Sequence, residues 1–134
     1  MMSYLLDTHV LLWFLTANCE KMSDNCQRIL LDENNHLCFS KASIWEISIK
    51  YSLGKPDFDY NPKQITQELL RLGFDCLEIE FSHLFEIGNL PKIHKDPFDR
   101  LLIVQAKLEN LKLLTADNAI LQYDKSFILN TQSL

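Results

Sequence analysis

Apolar and polar residues follow one another along the chain in short blocks that predict strands and helices in turn. Strands are predicted at "SYLL" (3–6), "HLCFS" (36–40), "FDCLEIEF" (74–81), "KLLT" (112–115) and "SFILN" (126–130). Segments with helical spacing lie between these strands. Alternating strands and helices are the pattern of βαβ units, so the sequence predicts an α/β fold with a small, mostly parallel sheet and helices on both faces.

The helices are predicted from apolar residues at helical spacing and from residues that favour helix ends. They cover "HVLLWFL" (9–15), "SDNCQRILLDE" (23–33), "ASIWEISIKYSLG" (42–54), "KQITQELLRLG" (63–73), "HLFEIGNLP" (83–91), "FDRLLIVQAKLENL" (98–111) and "NAILQY" (118–123). Gly54 and Gly73 are expected to end the third and fourth helices, and Ser82 to cap the fifth. The isoleucines of the third segment would also suit a strand.

The composition predicts one domain over residues 1–134. The chain is 47% hydrophobic, which provides enough apolar side chains for a core, and no apolar run approaches the roughly 18 residues of a membrane span. The N-terminus lacks the basic region of a secretory signal. The four cysteines form no Cys-x-x-Cys pair, so we expect reduced thiols and a cytoplasmic protein without a membrane partner.

Four acidic residues follow predicted strands in a way that brings them to one edge of the sheet. Asp7 comes directly after the first strand, Asp117 comes after "KLLT", and Glu46 lies about one turn into the helix after the second strand. Asp99 lies in the first turn of a later helix. Because ligands of open parallel sheets bind beyond the carboxyl ends of the strands, we expect these carboxylates to converge there.

A cluster of carboxylates needs a counter-charge. Two unit charges about 4 Å apart repel by roughly 4 kcal/mol at an effective dielectric constant near 20. Oxygen ligands suit Mg²⁺ or Mn²⁺ better than Zn²⁺, and such an ion lowers the pKa of a water and stabilises charge on a phosphate oxygen. The net charge of −5 argues against binding of nucleic acid by bulk electrostatics, but removing these four acids leaves only −1.

Each acid also has a purely structural interpretation. Asp7 and Asp117 could cap the segments that follow them. Glu46 could pair with Lys50 at the i, i+4 spacing, and Asp99 could offset the helix dipole. These alternatives stay open for each residue taken singly.

The run "HKDPFDR" (94–100) contains two acids with different predicted roles. Asp96 precedes Pro97, which favours the first helical position, so Asp96 is the predicted helix cap. Asp99 then occupies the third helical position, where its side chain is free to face the edge of the sheet.

Four stretches in order resemble the PIN-domain ribonucleases of the VapC-like toxin type. They are "YLLDTHVLLW" (4–13), "SKASIWEISIKYSLGK" (40–55), "HKDPFDRLLIVQA" (94–106) and "LLTADNAI" (113–120), and they span most of the chain. The resemblance places the family's catalytic and metal-binding acids on Asp7, Glu46, Asp99 and Asp117, and a supporting hydroxyl on Thr115. It implies a three-layer α/β/α fold, Mg²⁺ or Mn²⁺, endonucleolytic cleavage of RNA, a cognate antitoxin and a homodimer.

Further residues are candidates for supporting the site, for contacting RNA or for the core. Thr8 is a candidate supporting hydroxyl, and Arg100 and Lys95 are candidate contacts to RNA phosphates. The apolar neighbours of Trp13 and Trp45 favour core positions. His9 and His94 are interpreted as possible neighbours of the metal ligands.

Three rival functions remain. A phosphatase of the haloacid-dehalogenase type needs a second Asp two residues after the first, where this chain has His9. A PIN-like scaffold that only binds proteins would not need four intact acids. A DNA nuclease would use the same chemistry, but the flap-type enzymes carry additional elements for which this chain is short.

Overall fold

The computed structural model describes residues 2–134; Met1, which the predicted domain includes, lies outside them. The strands are β1 (Ser3–Leu6), β2 (His36–Ser40), β3 (Asp75–Leu77), β4 (Lys112–Thr115) and β5 (Ile128–Asn130). They form one sheet in the order β3-β2-β1-β4-β5, and all four pairings are parallel. The predicted parallel sheet is therefore confirmed.

Helices cover both faces of this sheet. The α-helices are α1 (Thr8–Leu15), α2 (Asp24–Leu31), α3 (Lys41–Ser52), α4 (Pro62–Arg71), α5 (Phe81–Glu86) and α6 (Pro97–Leu108), with short 3₁₀ helices at Cys19–Lys21, Ile87–Asn89 and Ile120–Gln122. Successive residues of a strand point to opposite faces. Accordingly, Leu5 packs into one core with α6, while Tyr4 and Leu6 pack into the other with α1 and α2. The predicted three-layer α/β/α fold is confirmed.

The third helix begins at a cap that the sequence did not predict and ends at the predicted glycine. The hydroxyl of Ser40 accepts the N–H of Ala42 and caps α3, and Gly54 follows the helix with a φ of +68°. The segment that would also have suited a strand is thus helical. None of the helices within residues 2–134 combines the length and apolar character that a membrane crossing needs.

Several predicted boundaries differ from the structure, and two of the differences have a clear cause. β3 ends at Leu77 because its partner Ser40 is the last residue of β2, and no strand continues beside it. The helix α5 begins at Phe81 with Glu80 as its cap, and Ser82 lies inside it. The buried ring of His83 accepts the N–H of Glu80 at 3.0 Å, which stabilises this earlier start.

Candidate metal centre

The carboxyl ends of β1, β2 and β4 lie side by side, because β1 pairs in parallel with both neighbours. Asp7 directly follows β1, and Asp117 comes two residues after β4. Glu46 lies in the second turn of α3, the helix that begins where β2 ends. The topology therefore brings three acids to one edge of the sheet, where the first turn of α6 adds Asp99.

Asp7 is buried, and both of its carboxylate oxygens accept hydrogen bonds. Oδ1 accepts the N–H of Val10 at 2.9 Å, so Asp7 caps α1, and Oδ2 accepts the hydroxyl of Thr115. Burial raises the pKa of the Asp7 carboxyl, and the negative charge of Asp117 raises it further. The two hydrogen bonds and His9 act in the opposite direction. Asp7 is thus a helix cap and also a carboxylate within electrostatic reach of Asp117.

Thr115 links the two acids that follow β1 and β4. Its hydroxyl is fully buried, donates to Asp7 and accepts the backbone N–H of Asp117 at 3.0 Å. The carboxylate Oδ1 of Asp117 accepts the N–H groups of Ala119 at 2.8 Å and Ile120 at 3.3 Å. The predicted capping role of Asp117 is therefore present, and its second oxygen is left for other contacts.

The two acids beside Pro97 divide their roles as the sequence predicts. Oδ1 of Asp96 accepts the N–H groups of Phe98 at 2.8 Å and Asp99 at 3.1 Å, so Asp96 caps α6. The Asp99 carboxylate turns instead towards His94, whose Nε2 lies 2.7 Å from Oδ2. Asp99 is therefore available to the cluster at the edge of the sheet.

The Asp99 carboxyl is strongly perturbed. Burial, the largest cause, raises its pKa to about 7, and the negative charges of Asp96, Glu46 and Asp117 raise it too, against the hydrogen bond to His94. Besides the neighbouring Asp96, the charges of two carboxylates from other segments of the chain, Glu46 and Asp117, therefore act on Asp99. Repulsion among these carboxylates would be relieved by a bound cation.

Glu46 is 5% exposed and only half paired. Its Oε2 lies 2.9 Å from Nζ of Lys50, so the i, i+4 pair exists, but Oε1 is buried without a hydrogen-bond partner. Thr131 has the other unpartnered buried side-chain oxygen found among residues 2–134, and it is a neutral hydroxyl. An unpaired buried carboxylate oxygen is more costly than a hydroxyl, and a cation near Glu46 would remove that cost.

A close group of three potential metal ligands in the described chain contains His94. The sequence had suggested His94 only as a neighbour of the ligands. His94, Asp99 and Asp117 each offer one ligand atom, and these three atoms all lie within 4.8 Å of one another. Nε2 of His94 is 3.9 Å from Oδ2 of Asp117. Asp7 and Asp117 both line a cleft of about 240 Å³ with His9 and residues 13 and 116.

The remaining predicted residues have defined surroundings. The Thr8 hydroxyl is buried and donates to Oγ of Ser43 at 3.0 Å, so it joins α1 to α3. The guanidinium of Arg100 donates to three backbone carbonyls, of Ile87, Pro91 and His94, at 3.0–3.2 Å. These bonds compete with the predicted phosphate contact of Arg100. Lys95 is exposed.

Comparison with known proteins identifies the family. A PIN-domain family model matches residues 4–126. The chain belongs to the PIN-domain family. A search of curated proteins returns no significant match.

This PIN domain is similar in structure to chains of several VapBC assemblies. They include VapBC2 from Rickettsia felis bound to promoter DNA (TM-score 0.69, 19% identity, 96% of this chain and 98% of that chain). DNA-bound VapBC from Salmonella typhimurium gives a TM-score of 0.66 at 14% identity, with 97% and 98% covered. VapBC-5 from Mycobacterium tuberculosis gives 0.64 at 12% identity, with 98% and 99% covered. At such identities the likeness concerns the fold.

An aromatic pair, of which Trp45 is exposed and Phe98 half-buried, adjoins the acids of the PIN domain. Trp45, next to Glu46, is 55% exposed, so the predicted core position is wrong for this residue. Its indole meets the ring of Phe98, next to Asp99, edge-on at 4.8 Å between centroids. The apolar neighbours of Trp45 in the sequence belong to the other faces of α3, and this is why its exposure was not foreseen. Trp13 is partly buried, as predicted.

The donor set of this PIN domain fits a divalent cation. The unpaired Oε1 of Glu46 favours a cation at this edge, and so do the negative charges that, after burial, raise the pKa of Asp99. Carboxylate oxygens are the ligands that Mg²⁺ and Mn²⁺ prefer, and Asp117 has a carboxylate oxygen free of backbone bonds. A cation at this place is therefore chemically reasonable.

Proposed function

We propose that this PIN domain is a metal-dependent endoribonuclease and the toxin of a toxin–antitoxin pair, hydrolysing RNA phosphodiester bonds with metal-activated water. The observation that carries the proposal is the meeting of Glu46, Asp99 and Asp117 at one sheet edge with a buried carboxylate oxygen left unpaired. Membership of the PIN family and the likeness to VapBC chains support the toxin assignment. We also propose that residues 1–134 form one domain.

In this proposal four acids bind the ion and Thr115 orients two of them. Asp7, Glu46, Asp99 and Asp117 would hold Mg²⁺ or Mn²⁺ at the sheet edge. The bound ion would supply the acidity that activates water and the positive charge that stabilises a phosphate oxygen. Thr115 orients Asp7 and Asp117 relative to each other through its two hydrogen bonds.

The neighbouring side chains prepare the acids for this task. Lys50 neutralises Oε2 of Glu46 and leaves Oε1 directed elsewhere. Asp96 satisfies the helix N-terminus, which frees Asp99 from capping. Thr8 supports the arrangement by fixing α1 against α3 through Ser43.

The aromatic pair beside the acids supports RNA with unpaired bases as the substrate. Single-stranded nucleic acid is recognised largely by stacking of bases on exposed aromatic rings, and Trp45 presents such a ring one residue from Glu46. Lys95 is exposed and suits a phosphate contact. For Arg100 we propose instead that it positions the loop before α6, because its nitrogens bond to that loop.

A cleavage assay tests the proposal. The purified chain is incubated with end-labelled single-stranded RNA and with DNA of the same sequence, in Mg²⁺, in Mn²⁺ and in EDTA. We expect internal cuts in RNA only, which require the ion and are lost in Asp99→Asn. Cleavage of DNA alone would favour the DNA nuclease, and cleavage of neither by well-folded protein would favour the non-catalytic module.

The proposed partners are a cognate antitoxin and a second copy of the chain, and the proposed location is the cytoplasm. All four cysteines are free thiols, which suits a reducing compartment. Phe81 and Phe85 on α5 stack on each other and are about three-quarters exposed, an apolar surface typical of a protein contact. Co-purification with the product of the neighbouring gene and light scattering of the isolated chain test the two partners separately.

A further inference from the structure

His94 is placed as a ligand would be. Its Nε2 lies 2.7 Å from Oδ2 of Asp99 and 3.9 Å from Oδ2 of Asp117. Two ligand atoms that each lie about 2.1 Å from one ion at a right angle are about 3 Å apart. Atoms on opposite sides of such an ion are about 4.2 Å apart, so both distances from Nε2 lie near the range that ligands of one cation span. The ligand atoms of Asp99 and Asp117 lie within 4.8 Å of each other.

The backbone of His94 is held on both sides. Its N–H donates to the hydroxyl of Tyr123 at 2.8 Å, and its carbonyl accepts from Arg100 at 3.2 Å. The same hydroxyl donates to the carbonyl of Pro91 at 2.9 Å, and Arg100 also bonds to that carbonyl. A ligand held by its surrounding hydrogen bonds loses little freedom when it binds.

A second observation points to a cation at the same place. Glu46 approaches from α3, is buried, and has Oε1 without a partner, and its charge acts on Asp99. If His94 served only to pair with Asp99, this carboxylate oxygen would still be unsatisfied. The negative charge of Glu46 would also attract an ion that contacts Asp99, Asp117 and His94.

We propose that His94 is a direct nitrogen ligand of the metal centre and makes it prefer Mn²⁺ to Mg²⁺. This inference rests on the proposed metal centre but goes beyond the four acids. Mg²⁺ is a hard ion that favours oxygen and keeps its water, whereas first-row transition ions accept imidazole readily. Replacing one oxygen position by Nε2 of His94 therefore favours the transition ion.

Electron paramagnetic resonance of bound Mn²⁺ tests the proposal directly. Electron spin echo modulation from a coordinated ¹⁴N nucleus is expected in the wild-type chain and is expected to be lost in His94→Gln. The matched control is His36→Gln, which removes another imidazole that faces a carboxylate, that of Asp75, at the start of β2. A second control, His9→Gln, removes the imidazole that lies near Asp7. Both controls are expected to keep the modulation.

Competition between ions provides the second readout. Titration of each variant with Mn²⁺, and displacement by Mg²⁺, measures the preference without RNA or turnover. His94→Gln is expected to weaken Mn²⁺ binding by about 10-fold or more while changing Mg²⁺ affinity much less. If His94→Gln does not fold, incorporation of ¹⁵N-histidine into the wild-type and His9→Gln chains still reports whether an imidazole is bound.

The outcomes separate this inference from the function on which it rests. Tight Mn²⁺ binding without nitrogen modulation, or modulation that persists in His94→Gln, overturns the role of His94 and leaves the acidic metal centre intact. Absence of Mn²⁺ binding to the wild-type chain overturns both. Nitrogen modulation without cleavage of RNA leaves His94 a ligand and counts against the nuclease.

Discussion

The helix α6 carries two polar clusters, and they differ in how completely they are paired. Near its end, Gln105 accepts the hydroxyl of Ser40 at 2.6 Å and donates to the carbonyl of Glu78 at 3.1 Å. His83 lies beside it and contacts Glu109 at 2.9 Å. In the first turn, Asp99 faces other carboxylates.

The pairing of their polar groups separates a candidate binding site from a structural network. A buried polar network stabilises a fold when its members are satisfied, and the cluster around Gln105 meets this condition. The cluster around Asp99 includes the unpaired Oε1 of Glu46 and a carboxyl whose pKa is raised to about 7. This cluster lacks positive charge, which a bound cation can provide.

The largest expected effect concerns activity. Asp99→Asn removes a carboxylate from the unsatisfied cluster, and we expect RNA cleavage to fall by about 10³-fold or more and toxicity in cells to disappear. Because the change relieves repulsion, the metal-free variant should be as stable as the wild type or more stable. Cleavage rates and urea unfolding in EDTA measure the two effects.

Asp96→Ala is the control for that change. It removes the cap of α6, so it should lower the free energy of unfolding by about 1 kcal/mol and keep most of the activity. If Asp96→Ala were inactive and fully stable, the assigned roles of the two acids would be reversed. Clear destabilisation of metal-free Asp99→Asn would support the structural interpretation of Asp99.

Addition of Mn²⁺ should stabilise the chain through the unsatisfied cluster. A ligand at 100 times its Kd raises the free energy of unfolding by about 2.7 kcal/mol, which corresponds to several degrees in Tm. Glu46→Gln should reduce this shift, since it removes the buried charge. A thermal-shift titration measures it, and equal shifts in wild type and Glu46→Gln would exclude Glu46 from the centre.

A change in the satisfied cluster should lower stability and leave Mn²⁺ binding unchanged. Gln105→Leu leaves Ser40 and the carbonyl of Glu78 without their partner, so we expect destabilisation by about 1–3 kcal/mol. Because the polar groups of this cluster already bond to one another, the affinity for Mn²⁺ should not change. Denaturant unfolding and Mn²⁺ titration of the same preparation test both parts, and a large loss of Mn²⁺ affinity would show that the two clusters are coupled.

The last effect is a pH dependence of the metal-free chain, and it concerns stability alone. The folded-state pKa of Asp99 is about 7, against about 3.9 for an unfolded Asp, so the folded state binds more protons between these values. Its contribution to stability therefore falls as pH rises from about 4 to about 7, by at most about 1.4 kcal/mol per pH unit. Urea unfolding at pH 5 and pH 8 in EDTA should show a smaller difference in Asp99→Asn than in the wild type.

Much of the molecule follows from the sequence alone. The alternation of apolar blocks determined the order of strands and helices, and the rule for parallel sheets placed Asp7 and Asp117 at the same edge. The position of Pro97 separated the capping role of Asp96 from the free side chain of Asp99. These inferences succeed because strand periodicity, capping and proline geometry act within a few residues.

Which side chains meet at the edge of the sheet depends on the packing of the whole chain. Contacts between segments distant in sequence bring His94 to Asp117 and join Thr115 to Asp7, and the packing of α3 leaves Trp45 exposed and Glu46 half paired. Local patterns do not contain such contacts, because they depend on how far each helix is rotated against the sheet. The sequence determined where the carboxylates lie along the fold, and the packing determined which of their charges remain unpaired.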